Sequence, residues 1–180
     1  EVVAAHAPNK YAERAVLTAA RISFFELKNY PKAETFFAQL KQITASQENK
    51  LEAMRGLLRS QYQQGKWTDA MENAKELTAA KGSSADDKSL ATMAIAKSYQ
   101  VSGDYGNAIA QFRSVVQINK AALAAEARYE TAACYFQLNK LTDAEKSAFE
   151  TINKSGSYDY WVTKAYILLG DVYYRQKDYF

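Results

Sequence analysis

Few residues of this chain invite a chemical reading. Cys134 is the sole cysteine, His6 the sole histidine, and Asp86-Asp87 the pair of adjacent carboxylates that first suggests a metal or acid–base site. A cysteine nucleophile needs a thiolate and a nearby base. Cys134 stands between Ala133 and Tyr135 with no such partner, so it reads as a buried structural thiol. One histidine without a cysteine cluster builds no zinc site, and His6 reads as a terminal bystander. Asp86-Asp87 follow Lys81-Gly82-Ser83-Ser84, a loop-like stretch, where carboxylates cap a helix and meet its positive end. No phosphate-cradling glycine pattern occurs: Gly103 and Gly106 belong to a helix–helix turn. The sequence therefore predicts no enzyme, no catalytic residue, no cofactor and no metal.

What is left is surface chemistry. Arg55 and Arg59 lie four apart, on one face of a helix. Lys97 follows at the corresponding place further on, and Tyr62, Tyr129 and Phe136 could supply apolar anchors. Whether these side chains share a surface depends on the elements that carry them.

Those elements repeat. Gly103-Asp104-Tyr105-Gly106-Asn107-Ala108 has relatives at Lys28–Ala33, Gly65–Ala70 and Asn139–Ala144, with a partial copy from Lys177. Large apolar residues fall at 30, 67, 105, 141 and 179, spaced 37, 38, 36 and 38 apart; alanines fall at 33, 70, 108 and 144. Two markers in one period define an array of supersecondary units. Only 7 glycines and 2 prolines occur, which suits helices and not an all-β chain. A net charge of +3 is too close to balance for a nucleic-acid footprint, and one cysteine excludes a disulfide framework. No apolar run approaches the ~20 residues of a membrane span. The first residue is Glu1, which leads us to expect a piece of a longer protein, with 1–8 as the tail of a preceding helix.

Apolar periodicity predicts first helices near 10–27, 48–64, 87–102, 120–138 and 158–176, each paired with a second helix after the turn. The repeats run roughly 10–45, 48–80, 87–118, 120–153 and 158–180, the last incomplete. Most aromatics, including Phe37, Tyr99, Phe112, Tyr135, Tyr166 and Tyr173, fall at positions that build the core. With most of a partner helix missing, Tyr166, Leu169 and Tyr173 should lie exposed and favour self-association through the C-terminal end, or the end should fray.

Tyr166-x2-Leu169-Gly170-x2-Tyr173 resembles the first-helix signature of the tetratricopeptide repeat, and Ile95-Ala96-x2-Tyr99 followed by Ala108-x3-Phe112 resembles the whole motif. The resemblance implies an all-α, right-handed α–α superhelix of about four and a half hairpins. It also implies a protein-interaction scaffold with a concave groove. By that resemblance the groove carries Arg55, Arg59, Tyr62, Gln63, Met93, Lys97, Gln100, Tyr129, Phe136, Tyr174 and Arg175, with Thr18, Ile22, Phe25 and Asp171 at equivalent positions. A basic patch centred on Arg55, Arg59 and Lys97 would suit an acidic or carboxylate-bearing peptide. Two other readings are a non-catalytic helical module of a larger enzyme and an RNA-binding helical repeat; charge balance speaks against the second. The long period and the Tyr-rich, Ala-Glu-Ala helices are similar to those of bacterial cell-envelope assembly proteins, which implies a periplasmic setting.

Overall fold

The computed structural model describes residues 10–177; His6, the 1–8 segment and Tyr179-Phe180 lie outside them. The described residues form nine α-helices and no strand. They are α1 (Lys10–Arg21), α2 (Tyr30–Ile43), α3 (Gln47–Gln64), α4 (Trp67–Ala79), α5 (Ala85–Val101), α6 (Tyr105–Ile118), α7 (Ala122–Gln137), α8 (Leu141–Lys154) and α9 (Asp159–Gln176). A π-helical turn, Ile22–Glu26, continues α1. This is the all-α helical-repeat fold expected from the period.

The repeat is written in the backbone as well as in the side chains. Residues 28, 65, 103, 139 and 177 all take positive φ, at 49°, 68°, 81°, 56° and 60°. Each stands two residues before one of the large residues at 30, 67, 105, 141 and 179. One left-handed residue ends each first helix and turns the chain toward its partner, a helix terminus that glycine takes without strain. Gly65 and Gly103 fill two of these sites, while Lys28, Asn139 and Lys177 fill the rest. Asn29 and Asp104 then cap the following helix, accepting from Lys32 N at 3.1 Å and Asn107 N at 3.2 Å.

The chain packs as two compact units, Glu1–Asp87 and Lys88–Phe180, with the boundary near the start of α5. In the first, Ala20, Ala33, Phe37 and Leu57 form one apolar cluster and Val16, Leu40 and Ala53 another. Gly56 is what lets α3 approach α2: a Cβ there would lie 2.3 Å from the Phe37 ring. In the second, Ala132, Ala144, Ala148, Ala165, Leu168, Leu169 and Val172 join α7, α8 and α9. The four repeat alanines, Ala33, Ala70, Ala108 and Ala144, are fully buried. Small residues at that place let helices pack closely.

Two expectations about the core change. Tyr166 is 59% exposed, whereas Leu169 is buried and Tyr173 half-buried, its hydroxyl 3.1 Å from Glu145 Oε1. Of the three residues expected to lie bare on α9, only Tyr166 does. Asp87 is more than a cap. Ser84 Oγ accepts from Asp87 N at 3.1 Å, and Asp87 Oδ2 accepts from Ser84 N at 2.9 Å, a reciprocal capping box at the start of α5. Asp87 also accepts two hydrogen bonds from Arg55 of α3.

Candidate functional site

Cations on first helices meet acceptors about one repeat further along the chain. In the first unit, Arg21 Nε donates to Glu52 at 3.1 Å, and Arg55 donates to both oxygens of Asp87, at 2.6 and 2.9 Å. In the second unit, Lys97 Nζ lies 2.6 Å from Glu130 and 3.6 Å from Glu126, while Gln100 Nε2 donates to Glu130 at 2.7 Å. Burial alone would push the Asp87 carboxyl up; hydrogen bonds from Arg55 and Ser84 outweigh it and hold the group below the ordinary carboxylate value.

This corrects the expected basic patch. Arg55 and Lys97 are committed to acids of their own chain, and Lys97 is only 13% exposed. Met93, expected on the groove, is fully buried. Tyr62 is half-buried and stands edge-on to Trp67, centroids 5.1 Å apart. Arg59 and Gln63 are exposed, and Gln100 is turned into the Glu130 network. Gln100 also reaches Cys134 Sγ at 3.6 Å, and burial, with Glu130 nearby, pushes the Cys134 thiol up to about 12. A thiol so placed is neutral and shielded, as expected of a structural one.

Of the other expected residues, Thr18, Ile22 and Phe25 are exposed in the first unit, and four come together in the second. Phe136, Asp171, Tyr174 and Arg175 line one pocket of about 370 Å³ between α7 and α9. The Arg175 guanidinium lies 3.8 Å from the centroid of the Phe136 ring, and Nη1 donates to the Phe136 carbonyl at 3.2 Å. Stacking and hydrogen bond together fix the guanidinium at the pocket wall. Tyr174 is 72% exposed, an aromatic face open to solvent at the rim. A pocket of this make-up can take an apolar side chain beside a hydrogen-bond acceptor or carboxylate.

Tyr129 belongs to a second cluster that the sequence reading missed. Its ring packs against Trp161, centroids 5.6 Å apart, and Tyr160 stands edge-on to Trp161 at 4.8 Å. Lys164 Nζ lies over all three rings, 4.9 Å from Tyr129, 5.4 Å from Tyr160 and 5.5 Å from Trp161. Burial above all, with Glu130, Tyr160 and Asp171 adding to it, raises the Tyr129 hydroxyl to about 12. Tyr160 and Trp161 precede the repeat signature, so its spacing did not flag them. The signal available was Trp161 at 32 residues beyond Tyr129, close to the separations of 31, 32 and 33 that join the ion pairs. Among the described residues no group of acids, histidines or cysteines could hold a metal ion, and no helix is long and apolar enough to cross a membrane.

A family model for the tetratricopeptide repeat matches residues 93–160. Those residues carry tetratricopeptide repeats. The match begins within α5, covers α6, α7 and α8 and ends at the start of α9, so Tyr129, Phe136 and Tyr160 lie inside it while Trp161, Lys164, Asp171, Tyr174 and Arg175 lie beyond it. Comparison with curated proteins gives no match. Among solved structures, the apo form of RapI superposes with a TM-score of 0.76 at 16% identity, over 95% of this chain and 51% of that one. This chain thus spans about half the length of RapI. The tetratricopeptide-like repeats of a Podosopora anserina putative kinesin light chain superpose with a TM-score of 0.64 at 16% identity, over 92% of this chain and 87% of that one. At such identities the likeness is one of fold. Together, the tetratricopeptide match and the fold of these neighbours identify a helical-repeat module.

Proposed function

We propose that this module is non-catalytic and binds a peptide segment of a partner protein in the pocket of Phe136, Asp171, Tyr174 and Arg175. The observation that supports this most is the convergence of these four side chains, all from positions where the repeat signature puts a groove, on one open pocket of about 370 Å³. Phe136 and Tyr174 offer the apolar anchorage that carries most binding energy at interfaces. Arg175 forms no ion pair among the described residues, which leaves its charge for a peptide carboxylate or carbonyl. The peptide we favour therefore pairs an apolar residue with an acidic one. The cell-envelope setting is a further part of the proposal, resting on the long, Tyr-rich repeats alone.

Selection of a displayed random-peptide library on the full chain, followed by calorimetry on the enriched peptides, tests this reading. Selected peptides should lose at least about tenfold in affinity on Tyr174→Ala, a loss typical of an interface hot spot. Arg175→Ala should flatten the salt dependence of binding. Peptides that bind both variants as well as the parent chain would move the binding surface off this pocket.

A further inference from the structure

We propose that Tyr129, Tyr160 and Trp161 form an aromatic cage for an alkylammonium group, and that Lys164 is its internal, displaceable occupant. Three ring centroids lie between 4.9 and 5.5 Å from Lys164 Nζ, inside the ~6 Å reach of a cation–π attraction. The rings do not stack as one slab. Tyr160 is turned 79° from Trp161 and Tyr129 is tilted 34° from it, so their faces enclose the cation from different sides.

The occupant is weakly held. Lys164 has no ion pair among the described residues, in contrast with Arg21, Arg55 and Lys97, which all reach carboxylates of another helix. An ammonium is a compact, strongly hydrated charge on a flexible stem, so leaving the cage for water costs it little. A methylated ammonium gives up less hydration on entry and touches the rings with its methyl groups. Tyr160 is 65% exposed, which opens the cage to solvent. The ligand chemistry is a quaternary ammonium, either free or as a trimethyllysine side chain. The cage uses none of the pocket's aromatic anchors, so it stands or falls apart from the peptide reading.

The test is a titration of the ¹⁵N-labelled full chain with tetramethylammonium chloride against sodium chloride at equal ionic strength. The Trp161 indole N–H signal, assigned by its loss in Trp161→Phe, reports on the cage. It should shift saturably while the Trp67 signal stays put. Lys164→Ala should tighten binding by the reciprocal of the unoccupied fraction, about tenfold for an occupancy of about nine-tenths, because the competent fraction becomes complete. Lys164→Met, which keeps the apolar stem, should tighten binding likewise, and Tyr160→Ala should abolish it. Choline and a trimethyllysine peptide, each against its unmethylated counterpart, then distinguish the two sources by which methylated form binds more tightly. Absence of a saturable Trp161 shift in both helical Lys164 variants, or equal shifts of both tryptophans, would overturn the proposal.

Discussion

Arg55 holds Asp87 with two parallel hydrogen bonds, Nε to Oδ1 at 2.6 Å and Nη2 to Oδ2 at 2.9 Å, and Asp87 holds the first turn of α5 through Ser84. One carboxylate, with its side chain only 4% exposed, thus joins the end of a loop, the start of a helix and a guanidinium from α3. Arg55→Ala should therefore cost about 2–3 kcal/mol, the range for a charged hydrogen bond whose loss leaves a buried partner unsatisfied. Arg59→Ala, on an exposed position of the same helix, should stay within about 0.5 kcal/mol. Urea unfolding of the two single variants checks the contrast, and equal losses would put the two arginines on equivalent footing.

Acid should weaken the fold in a defined window. Asp87, Glu34 and Glu13 all sit below their ordinary values in the folded chain. For Asp87 and Glu34, hydrogen bonds outweigh a burial that acts the other way; for Glu13, hydrogen bonds from Asn49 and Thr44 lead. Their contribution is complete above the unfolded values of about 4. It drains away as the pH falls from there through the depressed folded values, because the unfolded chain takes up protons first. Urea midpoints should thus be flat from these groups between about pH 7 and 5 and drop below about 4. Asp87→Asn should make that drop shallower; an unchanged slope would remove Asp87 from the account.

Gly56→Ala should reverse a familiar sign. Glycine to alanine within a helix ordinarily stabilises by about 1 kcal/mol. Here the new methyl would enter the space of the Phe37 ring, which is 2% exposed and has little room to retreat. A methyl 2.3 Å from a ring puts overpacking toward the upper end of its usual range of about 1–3 kcal/mol, so it should win, for a net loss of up to about 2 kcal/mol. Ala108→Trp, at a fully buried repeat position, should cost more still. Thermal melts of both variants decide, and an Ala108→Trp chain that melts with the parent would mean that α6 is turned the other way.

The left-handed turns allow a paired experiment. Gly103 takes φ 81° with open space around it, so Gly103→Ala should cost about 1 kcal/mol from backbone strain alone. Lys28 bears that strain already, at φ 49°, and Lys28→Gly should gain about 0.5–1 kcal/mol. Differential scanning calorimetry on the two variants should show melting temperatures moving in opposite directions.

Which parts of this were legible in the sequence follows from what each depends on. The left-handed turns and buried alanines depend on local chemistry that recurs in phase, so the period located them even where Lys28 or Asn139 replaces glycine. Phe136, Asp171, Tyr174 and Arg175 could be brought together by counting along regular helices. The ionic state of Arg55 and Lys97 could not, because it is decided by carboxylates more than 30 residues away. The Lys164 cage escaped because two of its rings lie outside the signature.

The seclusion of Cys134 has a kinetic consequence. It is the chain's single thiol, fully buried, and pushed up to about 12. A thiol reagent at neutral pH can reach it only in the moments when α7 lifts from its neighbours, since modification requires both access and ionisation. The rate of labelling at one atom is then a clock for the opening of the second unit, running in the native chain with no probe introduced. Ligands of the pocket or the cage that brace α7 against α9 would slow that clock.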